Sequence, residues 1–144
     1  MNDQPLVIER IYNAPIAKVW SAITDSAQLK KWYFQIDDFK AEVGFEFSFS
    51  ASSDDTTYVH LCKVTTVVAG SKIAYTWRYA GMPGITEVIF ELFPEGDKTR
   101  LRLTHTGIET FAGNGPDFDV SSFKAGWTDI LNESLRKYLE PAVV

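Results

Sequence analysis

The side chains best suited to chemistry in this sequence are two histidines and one cysteine. His60 and Cys62 lie two residues apart in the β-rich run Tyr58–Val68, so they share one face of a strand. A cysteine beside a histidine is a possible nucleophile and base. Side chains at positions i and i+2 diverge, however, and no third orienting group is evident, which favours a structural role. Because the run is apolar on both faces, the sequence leaves open whether this pair faces the interior.

No metal or cofactor site is expected. His60, Cys62 and His105 do not show a zinc-ligand spacing, and the chain has no glycine-rich phosphate loop and no nucleophile elbow. The strand carboxylates alternate away from the apolar rows, so we expect them in solvent and not as an acid–base pair: Glu46, Glu87 and Glu91. No catalytic residue is assigned.

Aromatic side chains indicate a different kind of site. The 144 residues include ten Phe, six Tyr and four Trp, and such rings either fill a core or line a pocket for an apolar ligand. His105 ends an otherwise apolar row, where it is either a polar contact for a ligand or a core histidine with an internal partner. The candidate ligand-binding residues lie on inward strand faces and on the last helix: Phe47, Phe49, Tyr75, Trp77, Tyr79, Phe90, His105, Phe123 and Trp127.

Alternating apolar and polar residues predict the strands that carry these rings. A first strand is expected at Leu6–Tyr12, followed by two short helices that end near Trp32. About five more strands follow, and Ser50–Thr56 is expected to be a hairpin loop because it is small and polar. The short connections imply antiparallel neighbours. Loops containing Met82 and Phe111 are candidates for gating the mouth of a cavity, or simply exposed.

The last helix organises this arrangement. Ser121–Glu140 has apolar residues at spacings of three and four and charged residues on the opposite face, which is typical of an amphipathic helix. Gly126 costs about 1 kcal/mol relative to alanine within a helix, which suggests a packing reason, such as close backbone approach or an opening for a ligand. The predicted fold is α+β, a helix-grip fold: a curved antiparallel sheet wrapped around a long C-terminal helix, with two short helices after the first strand.

Composition excludes several classes of protein. The formal net charge is −5 and lysine and arginine do not cluster, so nucleic-acid binding is not expected. No apolar run approaches the length of a membrane span, and the N-terminus does not resemble a signal peptide. A single cysteine excludes an intrachain disulfide. We expect one cytoplasmic domain over residues 1–144, without membrane insertion.

Three stretches resemble a known family. Pro15–Thr24, followed by Leu29 and Trp32, is similar to the opening motif of the activator of heat-shock-protein-90 ATPase homologue family. Leu101–Gly107 resembles its last strand. Gly126 and Trp127 begin a pattern that resembles its final helix and continues with Leu131, Leu135, Tyr138 and Leu139. The resemblance implies the SRPBCC (START-like, birch-pollen-allergen-like) fold, with a seven-stranded type of sheet that encloses an apolar cavity.

The aromatic residues and the resemblance together leave three alternative functions. The first is binding of a hydrophobic or aromatic small molecule, such as a lipid, sterol or polyketide-like compound, with Tyr75, Tyr79 and His105 as polar contacts. The second is a co-chaperone-like interaction module that stimulates a heat-shock chaperone ATPase through its outer surface. The third is a cyclase-type enzyme in which cavity shape and His105 orient a reactive substrate. The aromatic inward faces favour the first function, and the lack of a clear acid–base set argues against the third.

Overall fold

Six strands and a long C-terminal helix form the molecule. The structure is a computed structural model that describes residues 5–33, 36, 39–53, 56–111 and 120–140. The strands are β1 (Leu6–Tyr12), β2 (Glu46–Ser53), β3 (Thr56–Val68), β4 (Lys72–Tyr79), β5 (Thr86–Glu95) and β6 (Lys98–Thr106). The helices are α1 (Ile16–Thr24), α2 (Ser26–Trp32), a 3₁₀ turn (Ile108–Phe111), α3 (Val120–Asp129), a π-helical segment (Ile130–Leu135) and α4 (Arg136–Leu139). We call the last three elements together the C-terminal helix.

The strands form one antiparallel sheet in the order β1-β6-β5-β4-β3-β2. Strands β2 to β6 each lie beside their neighbours in sequence. β1 precedes the two short helices in the chain and pairs with β6, so it lies at the opposite edge of the sheet from β2. This arrangement confirms the predicted α+β helix-grip fold. The part of the chain that the structure describes contributes six strands, whereas the resemblance implies a seven-stranded type of sheet.

The two faces of the sheet differ as the alternation predicts. On β5 and β6 every second residue, from Thr86 to Leu92 and from Thr99 to His105, is buried, and the residues between them are partly exposed. β4 follows the same rule at Tyr75, Trp77 and Tyr79. Large rings therefore cover the concave face that meets the C-terminal helix.

The predicted hairpin loop at Ser50–Thr56 is too long. Pairing between β2 and β3 continues from Ser50 opposite Val59 to Ser53 opposite Thr56. A ladder of backbone hydrogen bonds does not require apolar side chains, so small polar residues extend both strands. The sequence interpretation was wrong because it used side-chain polarity as the sign of a loop.

Helices α1 and α2 each begin at a residue suited to a helix start. Pro15 precedes the first turn of α1 with an extended backbone, which suits a residue that has no amide hydrogen to donate. The Asp25 carboxylate accepts a hydrogen bond from the Gln28 amide at 3.3 Å and so caps α2. The Trp32 indole donates to the Ala22 carbonyl at 2.8 Å, which holds the two helices together.

The C-terminal helix changes its pitch in the middle. Its fully buried residues, Trp127, Leu131, Leu135 and Leu139, lie four positions apart. In an α-helix, residues four apart drift by about 40° at each step, because four residues make slightly more than one turn. In the π-helical segment Ile130–Leu135 four residues make less than one turn, so the segment rotates side chains in the opposite sense and offsets this drift. All four side chains therefore face the sheet.

Strand β1 holds this π-helical segment in place. The buried Tyr12 hydroxyl donates to the Leu131 carbonyl at 2.9 Å, and the Arg10 guanidinium donates to Asn132 Oδ1 at 2.6 Å. The Arg136 guanidinium lies 4.9 Å from the centre of the Tyr12 ring. Burial raises the pKa of the Tyr12 phenol well above its usual value, so the hydroxyl stays protonated and able to donate.

We expect Tyr12→Phe to lower the free energy of unfolding by about 1–2 kcal/mol, because it leaves a buried carbonyl without its donor. Urea denaturation measures the change. Tyr138→Phe is the matched control, since the Tyr138 hydroxyl donates to Gln28 in a partly exposed position and water can replace it. An equal loss in both variants would show that the contact to the π-helical segment has no special role.

Candidate functional site

The nine predicted ligand-binding residues all lie in the layer between the sheet and the C-terminal helix. Eight are buried, and Phe123, in the first half of α3, is half-buried. Their positions follow from the strand register, which places Phe47 and Phe49 opposite Cys62 and His60. Whether these residues contact a ligand stays a prediction, and the geometry defines the surroundings that a ligand would meet.

Trp77 lies at the centre of this aromatic layer. The centre of its ring lies 5.6 Å from that of Phe49, 5.4 Å from that of Trp127 and 5.9 Å from that of His105. Phe90 packs edge-on against Trp127 at 6.1 Å. These separations are those of rings in contact. The described side chains therefore form one continuous layer.

His105 has an internal partner on each ring nitrogen. The Trp127 indole donates to Nδ1 at 3.0 Å, so the proton of the neutral ring lies on Nε2. Nε2 lies 2.7 Å from Thr86 Oγ1 and donates to it, and the Thr86 hydroxyl donates to the Trp77 carbonyl at 2.9 Å. Burial lowers the pKa of His105 to about 3. This geometry is that of the core histidine, and a ligand would meet the face or edge of its ring.

His60 and Cys62 both face the interior, which the sequence left open. His60 stacks on Phe49 with ring centres 4.4 Å apart and packs edge-on against Trp77 at 4.9 Å. Burial lowers the pKa of His60 to about 4 and raises the pKa of the Cys62 thiol well above its usual range. A neutral imidazole and a protonated thiol do not form a thiolate nucleophile at neutral pH.

Tyr33, which follows α2, also enters this layer, although it is not among the nine predicted residues. Its hydroxyl lies 2.7 Å from the Tyr75 hydroxyl, and its ring stacks on Trp127 at 6.3 Å. Burial raises the pKa of both phenols far above the usual value. Strand alternation cannot find a residue that lies outside the strands. A tyrosine next to Trp32, at the end of an amphipathic helix, is the only signal in the sequence.

A third phenol, that of Tyr79, adds another polar group to the layer. The Trp77 indole donates to the Tyr79 hydroxyl at 2.9 Å. Burial raises the pKa of Tyr79 to about 12, so this hydroxyl is neutral at any physiological pH. The interior thus combines apolar ring faces with neutral hydroxyl groups.

Loops close one end of the layer. Phe111, in the 3₁₀ turn, is buried and packs against Tyr79 at 5.3 Å and Phe123 at 5.8 Å. It is therefore not an exposed loop residue, which was the alternative. The β4–β5 loop is tied to this turn, because the Ile85 amide donates to Thr110 Oγ1 and the Thr110 hydroxyl lies within hydrogen-bond distance of the Ile85 carbonyl, both at 3.0 Å.

A groove lies on the outer, convex face of the sheet, away from the aromatic layer. Its volume is about 510 Å³. Its walls are outward-facing side chains of β2, β3 and β4, joined by Ile85 of the β4–β5 loop: Glu46, Ser48, Leu61, Lys63, Thr76 and Arg78. Phe47 and Cys62, whose side chains face inward, also border the groove.

The described residues form neither a metal site nor a membrane-spanning helix. No three His, Cys, Asp or Glu side chains among them come together as metal ligands. No helix in the ranges that the structure describes is both long enough and apolar enough to span a membrane.

Several solved structures share this fold. Protein MLL2253 from Mesorhizobium loti superposes with a TM-score of 0.79 and 28% identity, over 98% of this chain and 100% of that one. Protein CV1439 from Chromobacterium violaceum gives 0.79 and 23%, over 96% and 98%. CalU16 from Micromonospora echinospora gives 0.75 and 24%, over 96% and 78%. No curated protein matches the chain significantly.

A family model matches most of the chain. Residues 13–140 match the model of the family described as Activator of Hsp90 ATPase homolog 1-like protein, a range that begins just before α1 and ends with the C-terminal helix. The match includes all nine predicted site residues. This chain therefore belongs to the Activator of Hsp90 ATPase homolog 1-like family and has the fold of SRPBCC-like proteins.

Proposed function

We propose that this protein binds a hydrophobic or aromatic small molecule, such as a lipid, sterol or polyketide-like compound, between the sheet and the C-terminal helix. The observation that carries the proposal is the set of hydroxyl groups inside the aromatic layer. Tyr33 and Tyr75 contact each other there through their hydroxyls, and Tyr79 contacts Trp77. Aliphatic side chains would fill a purely structural core without the cost of removing phenol groups from water.

The binding free energy would come from desolvation. Burying roughly 300 Å² of apolar ligand surface contributes several kcal/mol at about 25 cal/mol per Å², before the entropy losses of binding. The rings at Phe49, Trp77 and Trp127 offer flat apolar faces, and the tyrosine hydroxyls fix the ligand's orientation. A net binding free energy of about −8 kcal/mol corresponds to a micromolar Kd, and a binding role of this kind requires no catalytic residue.

Entry requires side chains at the end of the layer to move. Phe123 suits this role, because it is half-buried, packs edge-on against His105 at 5.0 Å and stacks on Phe111. The next residues of α3, Lys124 to Gly126, are exposed, and a Cβ at Gly126 would meet no atom within 4 Å. Rotation of one aromatic side chain there would uncover His105 and Trp127 without unfolding the helix.

A ligand screen followed by protein-observed NMR tests the proposal. We expect saturable shifts at Trp77, Trp127 and the inward strand residues for one class among lipids, sterols, aromatic compounds and polyketides. Trp77→Ala should weaken binding at least roughly tenfold, because it removes the central ring face. Trp77→Phe, which keeps a ring, should weaken it less and serves if the alanine variant does not fold.

Trp20→Ala is the control for removal of a tryptophan, because Trp20 lies partly buried on α1 and outside the aromatic layer. Binding that is unchanged in a folded Trp77→Ala variant would contradict the interior site. The absence of shifts for every ligand class would contradict the proposed function as a whole.

The family match favours a second candidate function. A co-chaperone-like module would contact a heat-shock chaperone through its outer surface and stimulate its ATPase, as the family description suggests. A pull-down with the cognate chaperone, combined with an ATPase assay, tests it. Stimulation that survives Trp77→Ala would support this candidate over the small-molecule role, and the absence of stimulation would exclude it.

A further inference from the structure

The groove on the outer face lies where the sheet is locally interrupted. β3 pairs with β4 at His60 opposite Tyr79 and at Leu61 opposite Arg78, and the pairing resumes only at Val64 opposite Tyr75. Between these points the Lys63 amide donates to the Thr76 side-chain oxygen at 3.0 Å instead of to a strand carbonyl. A register shift follows between Val64 and Thr66. Such irregularities re-aim side chains and open space between strands.

Two cations border this interruption. Lys63 on β3 and Arg78 on β4 are diagonal neighbours on the outer face, and both are exposed. Neither forms an ion pair within 4 Å with another residue of the described ranges. The outer-face arginines of β6 differ, because Arg100 and Arg102 both bond to Glu9. Lys63 and Arg78 are therefore available to an anion.

The remaining walls suit the rest of an amphipathic ligand. The hydroxyls of Ser48 and Thr76 line the groove beside the cations, and Thr76 still has a proton to donate because its oxygen only accepts from Lys63. Leu61 and Ile85 supply apolar surface, and Ile85 is about half exposed. A volume of about 510 Å³ lies within the usual range for small-molecule sites.

We propose that this groove is a second binding site, separate from the aromatic layer, for a small organic anion with an apolar body. The anionic group binds between Lys63 and Arg78, where charge-assisted hydrogen bonds are strongest, and the apolar body lies on Leu61 and Ile85. Glu46, directly opposite Lys63, opposes binding by like-charge repulsion. Removing the two cations should therefore weaken anion binding, and removing the Glu46 charge should strengthen it.

The test uses two fluorescent probes with the same rings. Anilinonaphthalene sulfonate carries the anionic group, and phenylnaphthylamine lacks it. We expect the double variant Lys63→Met/Arg78→Met to bind the sulfonate at least roughly tenfold more weakly and the neutral probe as the wild type does. Glu46→Gln should strengthen sulfonate binding, and added salt should weaken it. Lys98→Met, which removes an exposed cation at the β5–β6 turn, is the control.

Three outcomes would overturn the proposal. The double variant could bind the sulfonate with unchanged affinity, or it could lose affinity for both probes equally. The third outcome is that the neutral probe displaces the sulfonate, which would mean that both probes share the interior site. Because Lys63 and Arg78 are exposed, both substitutions should leave the fold intact, and circular dichroism checks this. The sulfonate result with the double variant decides the groove by itself, whereas the proposed interior function is decided by the separate ligand screen, so the two proposals can fail independently.

Discussion

Acidification from about pH 7 to about pH 4 is expected to lower the free energy of unfolding by on the order of 5 kcal/mol through two buried histidines. Burial lowers the pKa of His60 to about 4 and that of His105 to about 3, from an ordinary value of 6.5. Both rings are in contact with Trp77. A loss of this size is comparable to the whole stability of many domains, so the chain should unfold in mild acid.

Acid lowers the free energy of unfolding because the unfolded chain binds more protons than the folded chain. In the unfolded chain both histidines become protonated as the pH falls below about 6.5, whereas in the folded chain they stay neutral until about pH 4 and pH 3. Their stabilising contribution is complete above pH 6.5 and is lost as the pH falls towards the folded values. Within the described ranges His105 contacts Trp127, Thr86 and neighbouring rings, and none of these groups carries a charge that would stabilise the protonated imidazole.

Urea denaturation at a series of pH values measures the effect, and His60→Phe isolates part of it. Phenylalanine keeps a ring stacked on Phe49 but cannot be protonated, so the variant should show about half of the pH dependence of the wild type. The hydrogen bond from Arg102 lowers the pKa of the Glu9 carboxyl, so protonation of Glu9 also destabilises the fold in acid. This contribution is the same in the wild type and in His60→Phe and cancels in the comparison. Identical slopes for wild type and variant would refute the histidine contribution.

Gly84→Ala is expected to lower the free energy of unfolding by about 3 kcal/mol or more, because the new methyl group meets backbone atoms. Gly84 has φ +101°, and a Cβ there would lie 2.5 Å from the Thr110 carbonyl oxygen and 2.6 Å from the Phe111 ring. The same loop is tied to the 3₁₀ turn by hydrogen bonds between Ile85 and Thr110. The substitution must therefore displace the loop or the turn that closes the aromatic layer.

Gly81→Ala is the matched control in the same loop. Gly81 has φ +78°, but a Cβ there would meet no atom within 4 Å, so only the backbone strain of about 1–2 kcal/mol should remain. Thermal or urea denaturation of both variants gives the comparison. Equal losses would mean that close contact with Thr110 and Phe111 does not hold the loop. If Gly84→Ala also raises the on-rate of an interior ligand, the loop limits entry.

Local patterns predicted most of the architecture because they report directly on which face of an element is buried. The alternation of Tyr75, Trp77 and Tyr79 placed these rings inward, and the helical spacing after Ser121 identified the C-terminal helix to within about one residue of its observed ends. The same patterns failed at Ser50–Thr56, where backbone pairing continues although the side chains are polar. These patterns also did not predict the π-helical segment. That segment depends on the packing of Leu131 and Leu135, four residues apart, against the sheet.

The sequence by itself determined the fold class, the family and the rings that line the interior, because hydrophobic periodicity and family motifs are properties of neighbouring residues. Only the tertiary structure decided the chemistry of those positions. Residues far apart in sequence make the contacts that matter: Trp127 and Thr86 set the tautomer of His105, and Tyr33 meets Tyr75. The orientation of His60 and Cys62 likewise depends on strand register, which a run that is apolar on both faces cannot specify.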